Sequence, residues 1–170
     1  MLFEVLFLPK PLHSIALGSS AYLPCHLPAT FTALIDGSGD AFIACWNAKY
    51  GSNLQRPVTY INSNIDASWR PYIVTPNFPT YTSGHSTQSA AAATVLTDMF
   101  GVKSFTDTTH TDHSLVPPQQ PRKFDSFVQA ANEAAISRLY GGIHYSFDNN
   151  DGLTCGQCIG GAIHDRVTFR

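Results

Sequence analysis

Several polar side chains stand out by type and spacing, and together they could bind and attack a tetrahedral oxyanion. Such an anion carries more than one negative charge near neutral pH, so burying it requires cationic partners and directed N–H donors. One lysine and two arginines supply three positive charges, and the arginines can donate bidentate hydrogen bonds. Two histidines add groups for nucleophilic attack, metal ligation or proton transfer. The set is Lys49, Arg56, His85, Arg138 and His144, the last followed by Asp148.

The run Ser83-Gly84-His85 adds backbone donors to these side chains. Ser83 is of a type that caps a helix, and Gly84 lets the backbone approach a ligand closely. The free amides and the dipole of a helix start favour an anion at that end. We therefore expect Ser83 and Gly84 to bind the oxygens of the anion.

His144 and Arg138 are separated by a break in the chain. Their spacing of six would put them on different faces of one continuous helix. Gly141-Gly142 interrupts that helix, so both side chains can converge. Asp148 is placed to accept the Nδ1 proton of His144, which would leave Nε2 free as a nucleophile or metal ligand.

The elements that position these residues are predicted to be helices. One starts at an Asp40 cap and ends at Gly51, with Lys49 near its end. A second starts at Ser83 or Ser86 and ends at Gly101. A third, within residues 123–140, has Phe124, Phe127, Val128, Ala131, Ala135 and Leu139 at helical intervals. A last helix is expected from about Asn150 or Asp151.

No strand pattern of comparable length accompanies these helices, so we predict an all-α helical bundle. Residues 1–38 are predicted to form an irregular N-terminal segment and residues 39–170 the helical domain. Between the first two helices Pro57, Pro71, Pro76 and Pro79 forbid a long helix and favour a shaped loop. The sequence contains 10 Lys and Arg against 12 Asp and Glu, which offers no basic face for nucleic acid.

Apolar runs in the chain are too short to span a bilayer, because polar residues and prolines interrupt them. Glu4 stands where a secretory signal would carry positive charge, so we expect a soluble protein without a convincing signal peptide and leave the compartment open. Four cysteines could form two disulfides, although a core of this size does not need them.

Three ordered blocks carry the pattern: K-x6-R-P from Lys49 to Pro57, T-S-G-H from Thr82 to His85, and S-R-x5-H-x3-D from Ser137 to Asp148. They resemble the signature blocks of the superfamily that joins type 2 phosphatidic acid phosphatases, bacterial class A acid phosphatases and vanadium-dependent haloperoxidases. The surrounding sequences FPTYTSGHSTQSAAAATVL and EAAISRLYGGIHYSFDNNDGL are most similar to the haloperoxidase branch. The resemblance extends over about residues 39–161.

The resemblance implies a haloperoxidase-like core and vanadate as the cofactor. Hydrogen peroxide and halide would be the substrates, His85 would assist proton transfer, and Lys49 would polarise the peroxide. Asp148 would orient the vanadium ligand. The residues implied to hold vanadate are Lys49, Arg56, Ser83, Gly84 and Arg138, with His144 as the axial ligand.

The same residues would serve a soluble acid phosphatase, in which phosphate is substrate or product and no cofactor is needed. There His144 would attack the phosphorus of a phosphomonoester, and His85 would protonate the leaving alcohol. A non-catalytic fragment that retains an anion site is a third alternative. Zinc at Cys155, Cys158 and His164 is disfavoured because no second pair stands at finger spacing. Membrane lipid phosphatases are disfavoured because membrane spans are absent.

Two positions bear on details within the family. Chloride-oxidising members tend to have Phe where this chain has Phe78, and bromide-oxidising members tend to have His; the alternative is that Phe78 only packs the loop.

Thr82 replaces the usual Pro, which predicts a looser loop and weaker anion binding. Members of the family have extra helices before the core, and the resemblance therefore leaves two expectations open, a truncated chain or a homo-oligomer that covers what is missing.

Overall fold

The computed structural model describes residues 26–109 and 119–166, with side chains from residue 32 onward except that of His164. Most of the predicted N-terminal segment, residues 1–25, lies outside this part of the chain. The described part is mainly helical, which confirms the predicted all-α bundle. In order, its elements are α1 (His26–Ser52), α2 (Pro57–Asn64), α3 (Gly84–Phe100), β1 (Phe105–Asp107), β2 (Arg122–Phe124), α4 (Phe127–Tyr140) and α5 (Ser146–Arg166).

Helix α3 is the centre of the bundle and packs against α1, α4 and α5. Its alanines, Ala90 to Ala93, are buried. Glycines of α5 face them, and a Cβ added at Gly156 would lie only 2.1 Å from the Thr87 carbonyl oxygen. The small residues on both helices therefore allow a very close approach. The apolar core beside this contact contains Ala33, Leu34, Ala92, Ala93, Val95, Leu96, Phe127, Ala131 and Ile163.

The first helix begins earlier than predicted. It starts at His26 rather than at an Asp40 cap, so residues 26–38 are helical and not irregular. Pro28 lies in the first turn, where a helix tolerates proline because the missing N–H has no intrahelical acceptor. Gly37 lies in tight contact with α3, since a Cβ at this position would be 3.3 Å from the Val95 side chain. The division of the chain into domains remains a prediction.

The proline-rich connection after α1 contains a short helix that the sequence analysis did not expect. Helix α2 starts at Pro57, where a proline is favoured at the first helical position. Residue Arg56 precedes it in an extended conformation and accepts the backbone N–H groups of Thr59 and Tyr60 at its carbonyl. The rest of the connection, as far as Ser83, has no regular helix or strand. Proline therefore limits helix length here, as predicted, and also starts one helix.

The remaining boundaries differ by a few residues from the predictions. Phe124, expected on a helix, pairs with Phe105 in the antiparallel contact of β1 with β2. Ser126 caps α4 by accepting the Gln129 amide at 3.0 Å. Helix α5 starts at Ser146, before the expected Asn150. Within 26–109 and 119–166, none of the helices combines the length and apolarity needed to cross a membrane.

Candidate anion site

Ser83 stands at the N-terminus of α3, as predicted. Its hydroxyl oxygen accepts the Ser86 amide at 3.4 Å, and its own amide donates to the Asp148 carbonyl at 3.0 Å. The Ser83 amide is thus already used, which differs from the expectation that it points at an anion. The backbone amides of a first turn have no preceding intrahelical carbonyl as acceptor, so this end of α3 can offer the Gly84 amide and the Ser83 hydroxyl as donors.

His144 is buried, and both of its ring nitrogens have polar neighbours. Nδ1 lies 2.9 Å from Asp148 Oδ2, so the predicted hydrogen bond between the two residues is present. Nε2 lies 3.1 Å from Nη1 of Arg56. A guanidinium can only donate, so Nε2 must accept and Nδ1 must carry the proton. Nε2 is therefore engaged by Arg56 rather than free, and an anion that binds there must take over this hydrogen bond.

Burial and local hydrogen bonds set the charge states of the His144 and Asp148 pair. Burial lowers the pKa of His144 to about 4, with Arg56 adding to the effect and Asp148 opposing it. For Asp148, burial acts to raise the pKa, but hydrogen bonds from His144, Thr80 and the Tyr145 amide outweigh it and lower the pKa. Near neutral pH the pair is consequently a neutral imidazole held by a carboxylate.

Arg56 is buried and mostly held by backbone carbonyls. Its Nε donates to the Phe78 carbonyl at 2.8 Å, and its Nη1 donates to the Ile143 carbonyl at 2.9 Å. Its Nη2 is buried and has no hydrogen-bond partner among the residues that the structure describes. Burial lowers the pKa of Arg56 to about 10, partly offset by Asp148 and reinforced by Arg138. The group remains cationic at neutral pH with one donor nitrogen unused.

Arg138 and His85 are neighbours that line one cleft. Arg138 is in the last turn of α4, and its buried Nε likewise finds no acceptor within the described part of the chain. Burial lowers the pKa of Arg138, and burial with the charge of Arg138 lowers the pKa of His85 to about 3. Both side chains line a cleft of about 610 Å³ that also includes Tyr72 and Phe124. His85 is therefore neutral in this structure and stands at a route from the surface.

Lys49 is 1% exposed, and its ammonium group is used by the loop before α3. It donates to the carbonyls of Pro79 at 3.1 Å, Thr80 at 2.9 Å and Thr82 at 2.6 Å. These contacts account for all three of its protons. Burial lowers the pKa of Lys49 to about 8. Lys49 brings positive charge close to the site, but its hydrogen bonds hold the loop, which differs from the expectation of direct anion binding.

Phe78 lies over the two buried cations. Its ring centroid is 5.2 Å from Lys49 Nζ and 5.0 Å from Arg56 Cζ. Its ring also lies 5.2 Å from the Trp46 ring. Phe78 therefore shields both charges from water as well as packing the loop.

Thr82 and the loop around it are anchored by side chains that the sequence analysis did not single out. The Thr82 hydroxyl lies 3.2 Å from the Thr87 hydroxyl and donates to Cys45 Sγ at 3.6 Å. Cys45 in turn donates to the Thr82 carbonyl at 3.4 Å. These contacts fix the loop at the position where a looser loop was expected. Cys45 lies one turn before Lys49 on the same face of α1, which is the signal that could have identified it.

The geometry fits a tetrahedral oxyanion. Arg56 Nη2 and Arg138 Nε are buried donors without acceptors in 26–109 and 119–166, and such donors are costly unless something accepts from them. The arginines are near enough for Arg138 to lower the pKa of Arg56. The amide end of α3 adds further donors. Vanadate or phosphate between these groups would supply the missing acceptors, with His144 Nε2 on one side.

The zinc alternative rests on residues of α5 outside this site. Cys155 is half-buried and Cys158 is exposed, whereas the side chain of His164 lies outside the described part. Among the described side chains, no group of three His, Cys, Asp or Glu is arranged to hold a metal ion. Where described, the cysteines Cys45, Cys155 and Cys158 are free thiols.

Comparison with known proteins places this helical bundle and site in one class. The sequence model of the family described as the VCPO second helical-bundle domain matches residues 29–169, and the chain belongs to this family. It is therefore of the vanadium haloperoxidase type. No curated protein matches the sequence significantly.

Solved structures support the same assignment. A bacterial vanadium-dependent iodoperoxidase is 48% identical to this chain, with a TM-score of 0.77. The match covers 82% of this chain and 33% of the iodoperoxidase chain. The holo form of a bacterial vanadium-dependent chloroperoxidase is 18% identical, with a TM-score of 0.68. The match covers 81% of this chain and 35% of the chloroperoxidase chain. At this low identity, the likeness to the chloroperoxidase shows the fold alone. The chain spans about a third of the length of these solved relatives.

Proposed function

We propose that this chain carries the vanadate site of a vanadium-dependent haloperoxidase, an enzyme that oxidises halide with hydrogen peroxide. The observation that carries the proposal is the pair of buried donors, Arg56 Nη2 and Arg138 Nε, which lack acceptors in the described structure beside a histidine whose tautomer is fixed. Structural cations normally satisfy their donors within the protein. Two such donors near one imidazole favour a bound oxyanion.

The proposed roles follow from the contacts. Arg56 and Arg138 would hold the anion's oxygens with their unused donors, and the Ser83 hydroxyl and the Gly84 amide at the start of α3 would add hydrogen bonds. His144 would present the Nε2 lone pair, because Asp148 keeps the proton on Nδ1. Vanadate, when bound, would supply a Lewis acid that activates hydrogen peroxide without changing oxidation state.

His85 and Lys49 would act from the edge of the site. His85 lines the cleft and is neutral, so it can accept a proton from an entering peroxide. An anion next to it would offset the charge of Arg138 and raise the pKa of His85, which would allow it to return the proton. Lys49 would contribute electrostatically through its charge while its hydrogen bonds position the loop.

Iodide is the halide to test first, because the 48% identical relative is named an iodoperoxidase. The site also supports a second candidate function, acid phosphatase activity. The observation that favours it is the neutral His144 with Nε2 as an acceptor, which is the form a nucleophile needs. The site residues are common to both reactions, so geometry does not separate them.

The experiment uses the purified chain in two assays. One contains vanadate, hydrogen peroxide and iodide or bromide with a halogenation indicator dye; the other contains an aryl phosphate without vanadate. Halide oxidation alone supports the proposal, and phosphate hydrolysis alone replaces it with the phosphatase. Absence of activity in both assays supports a non-catalytic fragment that retains an anion site.

Calorimetry provides an independent measurement of the same site. We expect vanadate and phosphate to compete for one position per chain, because one set of donors serves both anions. Two independent vanadate sites, or binding of vanadate that phosphate does not reduce, would contradict the shared site.

A further inference from the structure

We propose that Thr80 is a positioning residue that, through Asp148, holds the orientation of His144 for anion binding; this rests on the proposed function. Its hydroxyl donates to Asp148 Oδ2 and also lies 3.1 Å from His144 Nδ1. The side chain is fully buried, at 0% exposure. The hydroxyl, the carboxylate and the imidazole thus form a closed triangle of polar groups.

The triangle allows a consistent arrangement of protons. The single hydroxyl proton of Thr80 goes to Asp148 Oδ2, which leaves the hydroxyl oxygen as an acceptor. The Nδ1 proton of His144 is then shared by two acceptors, Asp148 Oδ2 at 2.9 Å and Thr80 Oγ1 at 3.1 Å. Without a proton on Nδ1, two acceptors would face each other at short distance. Thr80 therefore favours the tautomer that leaves Nε2 unprotonated.

The backbone of Thr80 is fixed independently of its side chain. Its amide donates to the Leu54 carbonyl at 3.0 Å, and its carbonyl accepts from Lys49 Nζ at 2.9 Å. The Lys49 ammonium group therefore acts on His144 indirectly. It holds the backbone of Thr80, whose hydroxyl binds Asp148, the hydrogen-bond partner of His144. This gives the buried lysine a role that does not require it to contact the anion.

Hydrogen bonds to a ligand-bearing histidine affect the bound group strongly. Loss of such a partner typically lowers metal affinity or activity by about 10- to 100-fold, because the ring can rotate and change tautomer. Asp148 alone could rotate its carboxylate, since Oδ1 is buried without a hydrogen-bond partner among the described residues. The Thr80 hydroxyl, together with the Tyr145 amide, restrains it by binding Oδ2.

The test compares Thr80→Val, which removes the hydroxyl at similar shape, with Thr80→Ser, which keeps it. Thr97→Val is the matched control, because Thr97 donates only to the Ala93 carbonyl of its own helix, away from the site. The first readout is heteronuclear NMR of the His144 ring nitrogens in anion-free protein above neutral pH. We expect all four proteins to keep Nδ1 protonated, because Arg56 donates to Nε2 in each. Only Thr80→Val should shift and broaden the Nδ1 resonance, because the hydroxyl that contacts both Nδ1 and Asp148 Oδ2 is lost.

The second readout is vanadate affinity by calorimetry. Thr80→Val is expected to weaken binding by about 10-fold or more, and Thr80→Ser to restore most of it. Unchanged His144 ring-nitrogen resonances in folded Thr80→Val would overturn the inference, whether or not the protein oxidises halide. If wild type binds no vanadate, the proposed function fails, and the NMR comparison still decides the role of Thr80.

Discussion

Both halves of α3 contain buried side chains, but different interactions stabilise them. Near its start Ser86 and Thr87 are fully buried and satisfied by hydrogen bonds, to Asn149 at 3.2 Å and to the Ser83 carbonyl at 2.9 Å. In its second half Val95 and Leu96 pack in an apolar core. The stability of the polar half depends on a hydrogen-bond partner for each buried donor and acceptor. The stability of the apolar half depends on side chains that fill the core without cavities. The proposed anion site is next to the first half, where Arg56 and Arg138 each have a buried donor without an acceptor in the described chain.

The largest effect is expected from the histidines at the polar end. His144→Ala should remove capture of the anion and essentially all activity, because no other group presents a lone pair at that position. His85→Ala should retain vanadate binding but lose rate by roughly two to four decades, the usual contribution of general acid–base catalysis. Vanadate binding by calorimetry and halide oxidation, measured on both variants, separate the two roles. Unchanged vanadate affinity in His144→Ala would show that the axial ligand is another residue.

The second prediction concerns the close contact of α3 with α5. Gly156→Ala should destabilise the fold by about 2 kcal/mol or more, because its Cβ would lie 2.1 Å from the Thr87 carbonyl and 2.8 Å from Ala90 Cβ. Gly161→Ala is the matched control on the same helix, where a Cβ meets no described atom within 4 Å. It should be neutral or stabilising by up to about 1 kcal/mol, the helix propensity difference. Urea unfolding of both variants is the measurement, and equal stability would show that α5 can move away from α3 at little cost.

Local signals explain which helices the sequence predicted well. Helix α3 was predicted because Ser83 and Gly101 are strong end signals and both lie next to the helix they delimit. The part of α1 before Asp40 was missed because prolines such as Pro28, among short apolar runs without a sustained period, favour an irregular segment. Within this part, Gly37 packs against Val95. Its role depends on a residue far away in the chain, which no local pattern shows.

The site was predictable as a set of residues but not as a set of contacts. The three blocks identified Lys49, Arg56 and His144, and the structure brings them together around the loop before α3. Lys49 donates its hydrogen bonds to backbone carbonyls because of the path of this loop, which the sequence blocks do not show. Thr80 carries no signal of its own, because a threonine between a proline and a tyrosine is ordinary in sequence. Its importance follows only from its distances to His144 and Asp148.

The third prediction is a loss of stability in mild acid that originates at the polar end. The pKa values of His144 and His85 are lowered to about 4 and about 3, while the unfolded chain takes up these protons near pH 6.5. The free energy of unfolding should therefore be unaffected by these residues above pH 6.5. It should fall as pH decreases toward 4, by about 1.4 kcal/mol per pH unit for each histidine.

Urea unfolding at several pH values measures this slope, and His85→Ala should reduce it by about half because one fewer proton is involved. Saturating phosphate should also reduce it, since a bound anion favours protonation of the neighbouring histidines. A slope that is the same in wild type and His85→Ala would mean that His85 does not remain neutral in the folded protein.

The smallest expected effect concerns Phe78, whose ring covers both Lys49 and Arg56. An apolar ring beside an anion site excludes water and lowers the local dielectric, which strengthens the polarisation of a bound peroxide. We therefore expect bromide to be oxidised readily and chloride detectably. Phe78→His should lower the chloride rate more than the bromide rate, changing their ratio by about two- to tenfold, the scale of one cation–π contact.

Phe42→His is the matched control, because Phe42 stacks on the same Trp46 at 4.1 Å but is 42% exposed and contacts neither cation in the described structure. It should leave the chloride-to-bromide ratio unchanged. Thermal unfolding of both variants distinguishes a change in selectivity from a loss of folded protein. An unchanged ratio in a stable Phe78→His protein would show that Phe78 only packs the loop onto the helices, and halide preference would then have to be set by residues elsewhere.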